Sequence, residues 1–411
     1  MGAEKGEGNL INEMLPTTPP PRKPLPTTET FLELLEGGRE KLLQPFSKDE
    51  ALRIASLKQH LDNNECNPEW LKSRRAYLDV PRATGSTVAE IFRDPLRQVK
   101  DKTTNLYVQS PGYHTPYGNQ RQFLKEKLWG APFDGTIPAC VYGNENEDNA
   151  QECLEVYVKR MIALKEPLLF NGDKVPYIII KYKLDNPGLL VHCTIPILAM
   201  SPDGVLTLWL KPAQASSSCC SDADAAPVLV KKTILLEYKC PYSRRFLCYL
   251  KPSENIYPLK PSPSDMVQRP WPSYYVTQVQ HGMGIINENL SVYPWDFVEE
   301  AWCVVWVPPT CHDDGPMART RPVTNFAYKQ RGRAPGDTSD VLFTNLGTIQ
   351  LCRIPFACDF FDRMRNEVIR YILEDALPMF LLKKLGCLLP NECQACQLPL
   401  DVSVDDEKEK D

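Results

Sequence analysis

The chain lacks an apolar opening: residues 1–10 hold no run of the kind that directs a protein into a secretory pathway. No apolar run elsewhere is long enough to cross a bilayer; the longest, residues 189–200, is interrupted by His192, Thr194 and Pro196. An even, framework-like set of cysteines is missing too. There are 15, an odd number, scattered through apolar stretches as Cys193, Cys240 and Cys303 are. Only one pair, Cys393 and Cys396, has metal-ligand spacing, with Cys387 the nearest extra thiol, so a structural zinc site is not expected there. These absences lead to the expectation of a reduced intracellular protein, in the nucleus or cytoplasm, without a membrane partner. An excess of positive charge is also lacking. The net charge is −5, of which residues 401–411, with six acids and two lysines, supply −4. The rest is close to neutral, so a face for nucleic acid must be local.

What is present suffices for a large core: 411 residues of which 43% are hydrophobic. Residues 1–45, rich in Pro, Thr, Glu and Lys, are expected to form a disordered arm with at most a short helix over 30–43. A main domain is expected over 46–386 and a tail over 387–411, acidic from residue 401. Within the main domain the patterns predict helices over 48–63, 144–164, 274–286 and 358–385. Thr87 and Glu90 are spaced as a capping box for one more helix. Strands are expected over 177–184, 189–200, 205–210, 233–240, 301–307 and 348–355. Residues 211–227 and 308–340 read as long excursions, the second carrying Arg319, Arg321, Lys329, Arg331 and Arg333.

Two short stretches carry the chemistry. In Leu236-Glu237-Tyr238-Lys239-Cys240-Pro241 the alternation of a strand puts Glu237 and Lys239 on one face and Leu236 and Tyr238 on the other. A Glu-x-Lys pair on a strand is ordinarily a solvated ion pair. Here Ile234, Leu235 and Leu236 precede it without charge, so the strand is buried and its charged pair needs a partner or a metal. In Ser201-Pro202-Asp203-Gly204 the proline and glycine make a turn after an apolar run and present Asp203 at a bend. Hard oxygen donors of this kind suit magnesium or manganese. Upstream, Glu147 lies on the same helical stripe as Ala150, Leu154, Tyr157 and Met161. An acid near a helix start is ordinarily a dipole complement, and only the other motifs lift it into a site.

Taken in order, these motifs resemble the lambda exonuclease and YqaJ-type viral recombinase family, kin to the herpesvirus alkaline nucleases, within the PD-(D/E)XK nuclease superfamily. The Ser-Pro-Asp-Gly and Leu-Glu-Tyr-Lys-Cys-Pro-Tyr strings carry the likeness. They are joined by Trp70-Leu71-Lys72-Ser73-Arg74, by Thr84-Gly85-Ser86, by Tyr142-Gly143 with Glu147 and Ala150, and by Tyr275-Val276-Thr277-Gln278-Val279-Gln280. The likeness spans residues 70–385, with about five extra residues between Arg74 and Ser86, so Arg75 and Arg82 stand beside Arg74 as candidate phosphate contacts.

The resemblance implies an α/β fold, a restriction-endonuclease-like core with a central mixed sheet flanked by helices. It implies a metal-dependent exonuclease on double-stranded DNA, running 5′ to 3′, in viral-type recombination or DNA processing. Two Mg2+ ions, with Mn2+ as the substitute, would be held by Glu147, Asp203, Glu237 and the backbone carbonyl of Tyr238. Lys239 and Gln278 complete the catalytic set, and Arg74 with Ser86 would grip a DNA phosphate. Partners implied are double-stranded DNA and a single-strand annealing protein, with the chain a homo-trimer or a monomer. An RNA endonuclease of the same fold and an inactive DNA-binding scaffold are the alternatives.

Overall fold

The structure, a computed structural model, describes residues 23–58, 67–78, 81–92, 98–100, 107–109, 120–129, 138–170, 173–213, 229–240, 273–307, 341–344 and 347–388. Its helices are α1 Thr28–Leu43, α2 Lys48–Ser56, α3 Pro68–Leu78, α4 Gly85–Ile91, α5 Gln120–Trp129, α6 Pro138–Leu164, α7 Ser273–Glu288, α8 Cys358–Tyr371 and α9 Leu377–Lys384. Strands β1 Gln98–Lys100 and β2 Tyr107–Gln109 pair with each other, as do β5 Leu190–Val191 and β6 Ala199–Met200. The main sheet holds β3 Pro167–Leu168, β4 Tyr177–Asp185, β7 Gly204–Pro212, β8 Val230–Lys239, β9 Val298–Val307, β10 Val341–Thr344 and β11 Gly347–Pro355, in the order β10-β11-β9-β8-β7-β4-β3.

All neighbours in this sheet are antiparallel except β8 and β9. Parallel neighbours need a crossover, and α7 lies within the one between them. The sheet is therefore mixed and has helices on both faces. On one face Ile234, Leu236, Tyr238, Trp302 and Val304 pack against Ala150, Leu154, Val158 and Met161 of α6. On the other Leu235, Ala301 and Cys303 join Val276, Val279 and Met283 of α7. Residues two apart on the strand thus share a face, and those three or four apart on the helix meet them.

The helix α7 packs against its neighbours at two positions that have no side chain. A Cβ on Gly282 would stand 2.0 Å from Met200 Sδ, and one on Gly284 would stand 2.2 Å from Phe361 Cε2.

Several expectations need correction. Residues 189–200 do not form one strand but only the two-residue pieces β5 and β6. Between and beside them side chains replace the ladder. Val191 N–H donates to Tyr293 Oη at 2.9 Å, Cys193 N–H to Asn289 Oδ1 at 3.0 Å and Ile195 N–H to His192 Nδ1 at 3.2 Å. Helix α6 begins at Pro138, earlier than residue 144, with proline at the first helical position where its missing N–H is no loss. The cap of α4 is Thr84, whose N–H donates to Thr87 Oγ1 at 2.8 Å, so the pair Thr87 and Glu90 is not the capping box. The helix expected over 358–385 is present, but a π turn, Ile372–Ala376, joins α8 to α9 just before Pro378. Proline lacks the N–H and its ring crowds the carbonyl four residues back, which widens the ladder there.

In the N-terminal segment the short helix expected over 30–43 is present as α1, and it is docked on the body of the fold. Leu42 is fully buried, and Lys23 N–H donates to Gly386 O at 3.1 Å. The Cys387 thiol donates to Pro24 O at 3.2 Å, and Gly38 faces Leu377 of α9. The charged residues around Leu35 and Leu42 mask this apolar stripe in the sequence. Residues 1–22, the excursions at 214–228 and 308–340, and the tail with Cys393 and Cys396 lie outside the described residues. Among the described residues, no helix is long and apolar enough to cross a membrane.

Candidate functional site

The register of one strand pair builds the centre of the site. Gly204 on β7 pairs with Leu236 on β8, so the next step of the antiparallel ladder sets Asp203 opposite Glu237. Asp203 sits at the bend before β7, and its Oδ2 accepts a hydrogen bond from Tyr238 N–H at 2.6 Å. Glu237 is 2% exposed and turned toward α7. Its Oε1 accepts from both Lys239 Nζ and Gln278 Nε2, the latter at 2.5 Å. Its Oε2 has no hydrogen-bond partner among the described residues. Lys239, whose side chain is 23% exposed, lies 4.8 Å above the ring of Tyr275.

Glu147 approaches from α6, on the opposite face, and meets this group at the C-terminal end of β8. Burial pushes its carboxyl up to about 7, with Glu237 and Asp148 adding to the rise and Lys239 opposing it. Burial, then the charges of Glu237 and Glu147, hold Asp203 well above the ordinary carboxylate range. Lys239 is pulled down by burial, but Glu237 and Asp203 outweigh this and hold its pKa above the usual value, so it is an ammonium. Three carboxylates thus share one nearby cation, and the cluster is short of positive charge.

That deficit, with the unpartnered Glu237 Oε2, fits a divalent cation with a preference for oxygen. Among the described residues no three His, Cys, Asp or Glu side chains form a ready-made cage. Beside the cluster opens a cleft of about 780 Å³, walled by Glu147, Asp148, Glu155, Asp185, Asp203 and Tyr238.

The structure thus gathers Glu147, Asp203, Glu237, Tyr238, Lys239 and Gln278. Arg74 lies on α3 and Ser86 on the first turn of α4, but their side chains fall outside the described part. Tyr275 joins the site only through the fold, although its position three before Gln278 on one helix face is a readable signal in the sequence. Gln280 belongs to the framework: its Nε2 donates to Pro355 O at 2.6 Å and its Oε1 accepts from Ala357 N–H at 2.9 Å.

The family described as YqaJ-like viral recombinase domain matches residues 69–289, from α3 through α7, a stretch that contains all of these positions. No curated protein and no solved structure matches the chain.

Proposed function

Because the chain belongs to the YqaJ-like viral recombinase family, we propose that it is a nuclease of PD-(D/E)XK type that hydrolyses one strand of duplex DNA from a 5′ end. The observation that carries the reading is the division of labour on Glu237. One oxygen is fixed by Lys239 and Gln278, and the other is left unpartnered beside Asp203.

Asp203, Glu237 and the Tyr238 carbonyl would hold the first Mg2+, with Glu147 toward a second and Mn2+ as a substitute. Such ions, when bound, polarise the scissile phosphate and acidify water. Gln278 and Lys239 keep Glu237 from rotating, so its free oxygen stays aimed. The Lys239 ammonium would orient the attacking water by donating to it, with the Tyr275 ring limiting where the ammonium can go. Arg74 and Ser86 would hold the terminal 5′ phosphate.

The test is cleavage of an end-labelled duplex, with and without a 5′ phosphate, in Mg2+ and in EDTA. We expect Lys239→Ala and Glu237→Gln to lower the rate about a hundred- to a thousandfold, as loss of a group acting in the transition state does, with duplex binding kept. Arg74→Ala with Ser86→Ala should instead erode the preference for the phosphorylated end. Wild-type rates in either central variant would remove the site. Cleavage of RNA but not duplex DNA would move the reading to an RNA endonuclease, and no metal-dependent cleavage at all to a binding scaffold.

A further inference from the structure

Tyr238 serves the site with its backbone while its side chain goes the other way. The strand turns the ring onto the α6 face, where the residue is 4% exposed and its hydroxyl has no hydrogen-bond partner among the described residues. Other tyrosines of the body are satisfied. Tyr293 Oη–H donates to Val191 O at 2.7 Å, Tyr371 Oη–H to Gln120 O at 2.6 Å and Tyr182 Oη–H to Glu155 Oε2 at 3.0 Å. A buried hydroxyl without a partner in the protein is unfavourable unless water or a ligand supplies one.

The same residue lines the acidic cleft with Glu147, Glu155 and Asp203. A phenol hydroxyl can both give and accept a hydrogen bond. The carboxylate wall disfavours a phosphate at this point. A magnesium-class ion, by contrast, retains several waters, and those waters can only donate outward. A phenol beside carboxylates suits them: its oxygen accepts and its O–H passes on to an acid.

We propose that the Tyr238 hydroxyl is an outer-shell ligand for a hydrated divalent ion in this cleft, accepting from a water of its hydration shell and donating to a wall carboxylate. Tyr238 is thus a positioning residue, not a ligand of the ion itself, and the proposal rests on the metal-dependent reading above.

The test uses the full chain with Tyr238→Phe and Asp203→Asn, titrated calorimetrically with Mg2+ and with cobalt(III) hexammine, an inert ion that offers only outward-pointing N–H donors. In EDTA the Phe variant should melt about 2 °C higher than wild type, because it no longer buries an unpaired hydroxyl. Its affinity for Mg2+ should fall about tenfold, as for other outer-shell partners, and its affinity for the hexammine should fall as well. A lower melting point in EDTA, or wild-type affinity for both ions, overturns the proposal. Loss of Mg2+ binding in Asp203→Asn alongside wild-type binding in Tyr238→Phe overturns this proposal alone. Wild-type Mg2+ binding in Asp203→Asn overturns the metal reading and this proposal with it.

Discussion

His281 sits three residues beyond Gln278 on α7, fully buried, with its Nε2–H donating to Ala199 O at 3.0 Å. Burial lowers its pKa from 6.5 to about 4. The unfolded chain takes up this proton near pH 6.5 and the folded chain only near 4. Stability contributed by the neutral imidazole is therefore complete above pH 6.5 and is lost as pH falls toward 4, by about 3 kcal/mol at full effect. Glu147 acts in the opposite sense. Its folded pKa of about 7 lies above the unfolded 4.5, so the folded state holds the extra proton in that window and gains stability as pH falls. Asp203, raised in the same way, adds to that side. The wild type shows only the difference between these opposed effects. His281→Gln keeps a donor for Ala199 O and removes one of the opposed effects. Urea denaturation in EDTA at pH 7, 6 and 5 should show the variant gaining stability relative to wild type as the pH is lowered. Parallel curves would mean that His281 is not held neutral in the fold.

At the scale of elements, the distance between α7 and the sheet decides whether Gln278 reaches Glu237. Gly282 lies one turn beyond Gln278 on the same helix face, and its missing Cβ leaves room for Met200 and Leu235, both buried. Gly282→Ala should lower stability by about 1–3 kcal/mol, the usual effect of overpacking, and, on the proposed nuclease reading, should also cut Mg2+-dependent cleavage by lifting Gln278 away. Gly284→Ala crowds Phe361 of α8 instead of the sheet and serves as the control. It should show a similar loss of stability with a smaller loss of rate. Equal rate losses in the two variants would show that the effect comes from general destabilisation and not from the spacing of α7. The same elements separate what the sequence reveals from what it hides. Period-two alternation exposes the pairing of Glu237 with Lys239, because it is local to one strand. The placement of Asp203 opposite Glu237 depends on a register set across residues 214–228, and no local pattern encodes that; only the order of the motifs hints at it. The break of 189–200 into β5 and β6 stays hidden because its buried N–H groups are satisfied by Tyr293, Asn289 and His192, all side chains whose reach is tertiary. The docking of α1 is likewise fixed by its partner α9, some 330 residues away along the chain.

For the whole molecule, charge poses the sharpest problem for the nuclease proposed above, since a polyanion would then have to enter a protein of net charge −5 at a cleft walled by five acidic residues. Lys58 lies on the same wall, and Lys183 is engaged with Asp185 at 2.7 Å, so little positive charge faces the opening among the described residues. Coulomb repulsion between a phosphate and a carboxylate a few ångströms apart amounts to about 4 kcal/mol at a protein surface, enough to exclude the backbone unless a cation intervenes. Duplex binding should therefore itself need a divalent ion, apart from any need for one in cleavage. Calcium, larger and less exacting in geometry than magnesium, should support binding without efficient cleavage. In fluorescence anisotropy with a labelled duplex at fixed ionic strength, Ca2+ is expected to tighten binding at least about tenfold over EDTA. The gain should largely disappear in Asp203→Asn, where the ion loses a ligand. Equal affinity in Ca2+ and EDTA for the wild type would show that the duplex is held by positive charge elsewhere on the chain and that the acidic cleft does not govern its entry.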